Sequence, residues 1–212
     1  MKPALLTLSF FLFALMTNLP LVFSQVVEQV LDSNGKPIFP GGKYYILPVI
    51  IGSGGVRLDK TGNSKCPVTV LQDYSPFIKG LPVKFSIPGI SPGIIFTGTP
   101  LDITFEKKPK CAESSKWVVV VDDFPREWVG IGGLEDHRGK QILNGTFNIQ
   151  KYDKRSYKLV FCPRITAPPG LCFNIGRYND ENGRRLILIT DDNDPFQVVF
   201  EDADGTGLSS VV

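Results

Sequence analysis

Residues 30–47 read VLDSNGKPIFPGGKYYIL and combine a turn signal with a strand signal. Asn34 and Gly35 tolerate a positive φ, so the chain is expected to reverse direction there. The aromatic and β-branched run that starts at Lys43 continues to Ile50 and predicts a strand. A turn followed by a short strand is a typical unit of an all-β fold.

Short apolar runs and turn signals alternate in the same way along the rest of the chain. None of these runs is long or periodic enough to favour a helix. The clearest predicted strands are 43–50, 68–72, 83–87, 94–97, 101–105, 117–121, 146–152, 156–161, 185–190 and 196–200. Clusters of Gly, Asn, Asp and Pro separate them, and eleven to thirteen such strands predict an all-β barrel or sandwich.

The first 24 residues have the composition of a secretory signal peptide. Lys2 precedes an apolar run (4–16), and the small residue Ser24 offers a cleavage site. Polar residues and a proline interrupt the run, which is shorter than the ~20 residues of a membrane-spanning helix. We expect residues 25–212 to form one exported domain with no membrane partner, either extracellular or diverted to a vacuole.

The charge of the mature chain is close to balanced. Removal of Lys2 with the leader leaves 22 basic side chains (23 minus 1) against 21 acidic ones, a net charge of about +1. A nucleic-acid partner would require a clear excess of basic residues on one surface. We therefore expect no nucleic-acid partner.

The chain has four cysteines, Cys66, Cys111, Cys162 and Cys172. In an exported protein an even number of cysteines indicates disulfides, and four cysteines allow three pairings. Sequential pairing is the simplest of the three. No Cys-x-x-Cys spacing occurs and His137 is the only histidine, so the sequence predicts neither a metal site nor a cofactor.

The motifs expected of an enzyme are missing. No Gly-x-Ser-x-Gly motif is present, and His137 lies among charged turn residues in EDHRGK (135–140), where a solvated loop histidine is expected. The sequence therefore does not predict an enzyme. Asn144-Gly145-Thr146 is a glycosylation acceptor triplet, and it is also expected to form a hairpin turn.

The segment 30–47 resembles the N-terminal signature of the plant Kunitz, or soybean trypsin inhibitor, family. The resemblance rests on an aliphatic residue before Asp32, the Asn34-Gly35 turn, Ile38, and then Tyr44 and Ile46. Later landmarks follow in the same order as KCPVTV (65–70), KWVVVVDD (116–123) and YKLVFCP (157–163). Together these segments extend over nearly the whole mature chain.

The resemblance implies a β-trefoil with twelve strands in three pseudo-repeats, six strands forming a barrel and six forming hairpins that cap one end. It also implies the pairs Cys66–Cys111 and Cys162–Cys172. Members of the family bind serine endopeptidases as monomers, through one exposed loop that is presented like a substrate. The expected function is therefore a secreted inhibitor of a serine endopeptidase.

The resemblance assigns the reactive loop to residues 86–93, SIPGISPG, with Ile87, Pro88, Gly89, Ile90, Ser91 and Pro92 as its contact residues. Ile90 would enter the specificity pocket of the enzyme, and the scissile bond would be Ile90–Ser91. Counting back from Pro100 moves the pocket residue to Ser91. We prefer Ile90, because a Ser91–Pro92 bond lacks an amide hydrogen and has a constrained ring.

Two positions depart from the family pattern. Trypsin-directed members carry Arg or Lys where this chain has Ile90, so an elastase-like or subtilisin-like pocket is favoured. Many inhibitory members place an asparagine that supports the loop where this chain has Pro40. The alternative function is therefore a non-inhibitory trefoil protein for storage, defence, or binding a carbohydrate or protein. Residues 163–171 around Arg164 offer another binding edge, although we prefer to interpret them as a turn clamped by Cys162 and Cys172.

Overall fold

The computed structural model describes residues 27–89, 93–164, 171–191 and 194–205. Within these ranges no helix is long and apolar enough to cross a lipid bilayer. The described residues form thirteen β-strands: β1 Lys43–Pro48, β2 Val56–Asp59, β3 Thr69–Gln72, β4 Val83–Ser86, β5 Asp102–Phe105, β6 Trp117–Val121, β7 Trp128–Ile131, β8 Gln141–Leu143, β9 Gly145–Lys151, β10 Tyr157–Pro163, β11 Phe173–Asp180, β12 Gly183–Ile189 and β13 Gln197–Asp202.

Six strands close into a barrel. β1 pairs with β4 and β13, β4 pairs with β5, and β10 pairs with β13 and β9, all antiparallel. The last gap, between β5 and β9, is closed at Leu101 and Phe147. The Leu101 N–H donates to the Phe147 carbonyl at 2.7 Å, and the Phe147 N–H donates to the Leu101 carbonyl at 3.0 Å. The barrel therefore has no free edge among these strands.

Three hairpins cap one end of the barrel, namely β2–β3, β6–β7 and β11–β12. Each hairpin pairs with the other two, through Thr69 with Gly130, Gln72 with Arg184, and Trp128 with Ile187. This threefold arrangement confirms the predicted β-trefoil. Only Asn144 separates β8 from β9, so counting those two as one bent strand gives the twelve strands of the resemblance.

Alternating burial along the strands builds the core. In β5 the side chains of Ile103 and Phe105 point inward while their neighbours are half-buried, as expected for strands with one face packed. Aromatic rings connect the strands across the interior, with Phe85 5.5 Å from Phe200 and Phe200 5.6 Å from Tyr157 between ring centroids. Such pairs stabilise a core beyond the area that they bury.

Both disulfides are present in the structure. Cys66 bonds Cys111, which joins the β2–β3 connection to the β5–β6 connection, and Cys162 at the end of β10 bonds Cys172 just before β11. These are the sequential pairs. The candidate binding edge at 163–171 falls mostly on residues 165–170, which lie outside the described residues.

Four strands were missed by the sequence patterns and one predicted strand does not form. β2, β7, β8 and β11 were not predicted, because they contain Arg, Gly, Asn or Asp, or are only three residues long. Residues 94–97 were predicted as a strand, but only Phe96 makes an isolated bridge, to Gln29. Residues 94–97 lie beside the irregular N-terminal segment around Gln29, which offers no regular strand to pair with.

Candidate functional site

The start of the loop after β4 is anchored to the barrel. Ser86, the last residue of β4, lies opposite Asp102 of β5. Ile87 is half-buried and packs against the core, whereas Pro88 and Gly89 are exposed. Gly89 has a φ of 99°, in a region that favours glycine. Of the predicted contact residues, Ile87 is therefore an anchor, and Pro88 and Gly89 face solvent.

The end of the loop is also anchored to the core. Gly93 is exposed, Ile94 is half-buried, and Ile95 is fully buried. The Ile95 N–H donates to the Ile38 carbonyl at 3.0 Å, and the Ile95 carbonyl accepts from the Val30 N–H at 2.9 Å. Ile87 and Ile95 are thus fixed in the core, and the described residues Pro88, Gly89 and Gly93 between them are exposed.

The other predicted contact residues, Ile90, Ser91 and Pro92, lie outside the described residues. The assignment of the scissile bond to Ile90–Ser91 therefore stays a prediction. The stretch from Ser86 to Gly98 contains no charged residue. Beside the loop, Asp102, which lies opposite Ser86, forms an ion pair with Lys116 at 3.0 Å.

The turn at Pro40 supports the loop through its backbone. Pro40 offers no side-chain donor, but the N–H of the next residue, Gly41, donates to the Phe85 carbonyl at 2.9 Å, two residues before Ile87. The turn is closed by the Gly42 N–H, which donates to the Phe39 carbonyl at 3.1 Å. Sequence reasoning about side chains missed this support, because a backbone donor leaves no residue-type signal.

The side chain of Tyr44 stabilises the same turn. Its hydroxyl oxygen accepts from the Phe39 N–H at 3.0 Å, and its ring packs 6.1 Å from the ring of Phe85. Burial raises the pKa of the Tyr44 phenol, so the hydroxyl stays neutral at physiological pH. A side chain at Gly42 would lie 2.7 Å from this hydroxyl, which explains the glycine.

His137 is buried, and the expectation of a solvated loop histidine is wrong. Only 3% of its surface is exposed, its ring lies 5.5 Å from the Trp128 ring in an edge-to-face contact, and its Nε2 is 2.9 Å from the Ile131 carbonyl oxygen. Burial lowers its pKa. The ring nitrogen therefore bonds to a backbone carbonyl, whereas a catalytic base would contact a serine or cysteine.

Asn144 is exposed but does not form the expected hairpin turn. The strands on its two sides have different partners, since β8 pairs with β6 and β9 pairs with β10. The Asn144 carbonyl accepts from the Arg164 N–H at 2.8 Å. The acceptor triplet is thus a junction between two strands, and its glycosylation stays a prediction.

No cluster of three or more His, Cys, Asp or Glu residues that could hold a metal ion occurs in the described part of the chain. A surface groove of about 790 Å³ lies beside His137 and Trp128. Asp122 on its wall is already engaged, because it accepts from the Trp128 indole at 3.1 Å and pairs with Lys140 at 2.7 Å. Both contacts hold Asp122 in place beside Trp128.

Comparisons with known proteins identify protease inhibitors that are similar to this chain. The family profile of legume Kunitz proteins, described as "Trypsin and protease inhibitor", matches residues 30–202. A Kunitz-type trypsin inhibitor-like 2 protein of Pisum sativum is 58% identical, with all of both chains covered. The subtilisin inhibitor CLSI-II of Canavalia lineata is 57% identical, covering 85% of this chain and 96% of that relative.

A solved structure supports the same relationship. The crystal structure of a Kunitz type trypsin inhibitor from Cicer arietinum superposes with a TM-score of 0.79 at 65% sequence identity. The superposition covers 84% of this chain and 99% of that one.

Proposed function

The chain belongs to the legume Kunitz family of trypsin and protease inhibitors, and we propose that it inhibits a serine endopeptidase through the loop between Ser86 and Ile95. The observation that carries this proposal is the anchoring of that loop. Ile87 and Ile95 pack into the core on either side of exposed residues, and Gly41 and Ile38 bond to its two flanks. The loop carries no charged residue and is tethered at both ends, and its described residues Pro88, Gly89 and Gly93 are exposed.

Anchored ends make such a loop a good inhibitor for physical reasons. A segment that is fixed before binding loses less conformational entropy on docking, so its main-chain contacts yield more net affinity. If the enzyme cuts the Ile90–Ser91 bond, both new ends remain attached to the core through Ile87 and Ile95. The Cys66–Cys111 disulfide also spans the cut, so the fragments cannot separate and the bond can re-form.

We propose a subtilisin-like or elastase-like target. Ile90 would fill an apolar specificity pocket, whereas the pocket of trypsin carries a carboxylate that requires Lys or Arg. The 57% identity to a subtilisin inhibitor favours the subtilisin-like pocket. The protein would act as a monomer outside the cell, or in a vacuole, after loss of residues 1–24. N-terminal sequencing of the mature protein and its sedimentation coefficient test the last two points.

The test is a titration of subtilisin, elastase, chymotrypsin and trypsin with the mature protein. We expect inhibition of subtilisin or elastase at nanomolar concentrations and a loss of at least about 30-fold in affinity for Ile90→Gly, because hot-spot residues contribute about 2 kcal/mol or more. Ile51→Gly is the matched control, since Ile51 is 99% exposed on another loop.

Two outcomes would contradict the proposal. Inhibition of trypsin alone would mean that a Lys or Arg outside this loop enters the enzyme. Full activity of all four enzymes at micromolar protein would leave a trefoil protein that does not inhibit these enzymes, for storage, defence or ligand binding.

A further inference from the structure

Two loops at the far end of β1 expose a compact set of apolar side chains. Residues 49–55 connect β1 to β2, and residues 73–82 connect β3 to β4. Ile51 is 99% exposed and Phe77 is 92% exposed. Their neighbours Val49, Ile50 and Ile78 are also exposed, at 40%, 54% and 44%. We call these five residues the apolar tip.

The apolar tip lies at the opposite end of β1 from the proposed protease-binding loop. β1 begins beside β4, where Lys43 pairs with Lys84, and it reaches the tip only after Pro48. A strand of this length spans about 17 Å, at ~3.3 Å per residue. A molecule bound at the tip would therefore leave the loop between Ser86 and Ile95 accessible.

The backbone holds the two loops of the tip together. The Gly54 N–H donates to the Asp73 carbonyl at 3.0 Å, the Asp73 N–H donates to the Gly55 carbonyl at 3.0 Å, and the Gly55 N–H donates to the Ile78 carbonyl at 2.8 Å. A side chain at Gly55 would lie 2.1 Å from the Lys79 carbonyl oxygen, so this close approach requires glycine. The exposed side chains thus project from a fixed backbone.

Cationic side chains border the apolar tip at Val49 and Ile50. Val49 borders a hollow that also contains Lys154, Arg155 and Asp153, and Ile50 borders one that contains Arg177, Arg184 and Asp194, so each hollow has two cations and one anion. We call these four cations the basic rim. Lys154 and Arg155 are exposed, and neither forms an ion pair within the described residues. Arg184 bonds to the Ser53 hydroxyl, and Arg177 pairs with the exposed Asp194 at 3.3 Å.

We propose that the apolar tip inserts into the headgroup region of an anionic lipid bilayer while the basic rim pairs with lipid phosphates and carboxylates. Large apolar side chains that project into water are costly, and an interfacial position removes that cost. Each Lys or Arg near an anionic membrane surface adds electrostatic attraction. A tip assembled from two loops contains no long apolar run, which is why the sequence predicts no membrane partner for residues 25–212.

The test is co-sedimentation of the mature protein with phosphatidylcholine vesicles that contain or lack phosphatidylserine. We expect binding to the anionic vesicles that weakens at high salt. The double variant Ile51→Ser, Phe77→Ser should lower the affinity by about tenfold or more. Each of these side chains removes a large apolar surface from water when it enters the bilayer, and this favours binding. Leu134→Ser, at a residue that is 67% exposed on a different loop, should leave binding unchanged.

A second pair of variants tests the basic rim. Lys154→Gln with Arg155→Gln should weaken binding to anionic vesicles several-fold, while Lys107→Gln with Lys110→Gln, two exposed lysines of the β5–β6 connection, should not. The four variants described for vesicle binding should inhibit the target protease as the wild type does. A change in vesicle binding can therefore be read separately from the proposed inhibition.

Three results would overturn the proposal. The first is no binding of the mature protein to anionic vesicles, and the second is equal binding of the Ile51→Ser, Phe77→Ser variant. The third is a concentration-dependent dimer, seen by sedimentation velocity without vesicles and lost in that variant, because a second copy of the chain would then cover the tip.

Discussion

His137 is the only histidine of the chain, and its burial against Trp128 couples stability to pH. Burial lowers the pKa of the imidazole in the folded state, and Lys140 acts in the same direction. The hydrogen bond to the Ile131 carbonyl opposes this shift, as do Asp136 and Asp122. The unfolded chain therefore binds the proton more readily. This stabilisation is complete above the unfolded pKa of about 6.5, and it is lost as the pH falls from there toward the folded pKa.

Urea unfolding between pH 7.5 and about 5.5 measures this coupling. We expect the free energy of unfolding to decrease on acidification with a slope of up to about 1.4 kcal/mol per pH unit, the value for one proton. His137→Gln should be less stable at pH 7.5, because it disturbs the contact with Trp128, but should have a flatter slope. An unchanged slope in the variant would assign the pH dependence to other groups.

A substitution in the turn at Gly41 can separate an effect on the loop from an effect on the stability of the whole protein. Gly41 has a φ of 81° and no atom within 4 Å of where a Cβ would lie, so alanine there is strained only through its backbone. Gly139 is matched to it, with a φ of 76° and equal space in a distant loop. Both glycine-to-alanine substitutions should lower the free energy of unfolding by about 1–2 kcal/mol.

Only Gly41→Ala should weaken inhibition, by several-fold, because Gly41 bonds to the Phe85 carbonyl just before the loop. The inhibition constants of the two variants toward the target protease provide the comparison. Equal constants for the two variants would mean that this turn does not position the loop.

Strands with a regular apolar face were predictable from sequence, and elements that depend on distant partners were not. The run at 117–121 is β-branched and became β6, whereas β2 contains Arg57 and Asp59, which form an ion pair with each other. Ile95 made 94–97 look like a strand, although its burial comes from contact with Val30 and Ile38 far away in sequence. The uncharged connection between β4 and β5 was predictable from its prolines and glycines, but the backbone support that Gly41 gives to its start was not.

At the scale of the whole molecule, the trefoil separates two surfaces. The ring of six strands and its cap place the loop between Ser86 and Ile95 beyond the start of β1, and the apolar tip lies at the other end of β1. The Cys66–Cys111 disulfide joins the first and second pseudo-repeats across the loop. An enzyme bound at one end would therefore leave the other end free.

The position of the bond that the target protease attacks tests the central claim most directly. The mature protein is incubated with a catalytic amount of subtilisin, and the products are separated with and without reduction and then sequenced. We predict a single new N terminus at Ser91, with fragments that separate only after reduction, because the Cys66–Cys111 disulfide spans the cut. A first cut outside residues 86–94 would contradict this claim.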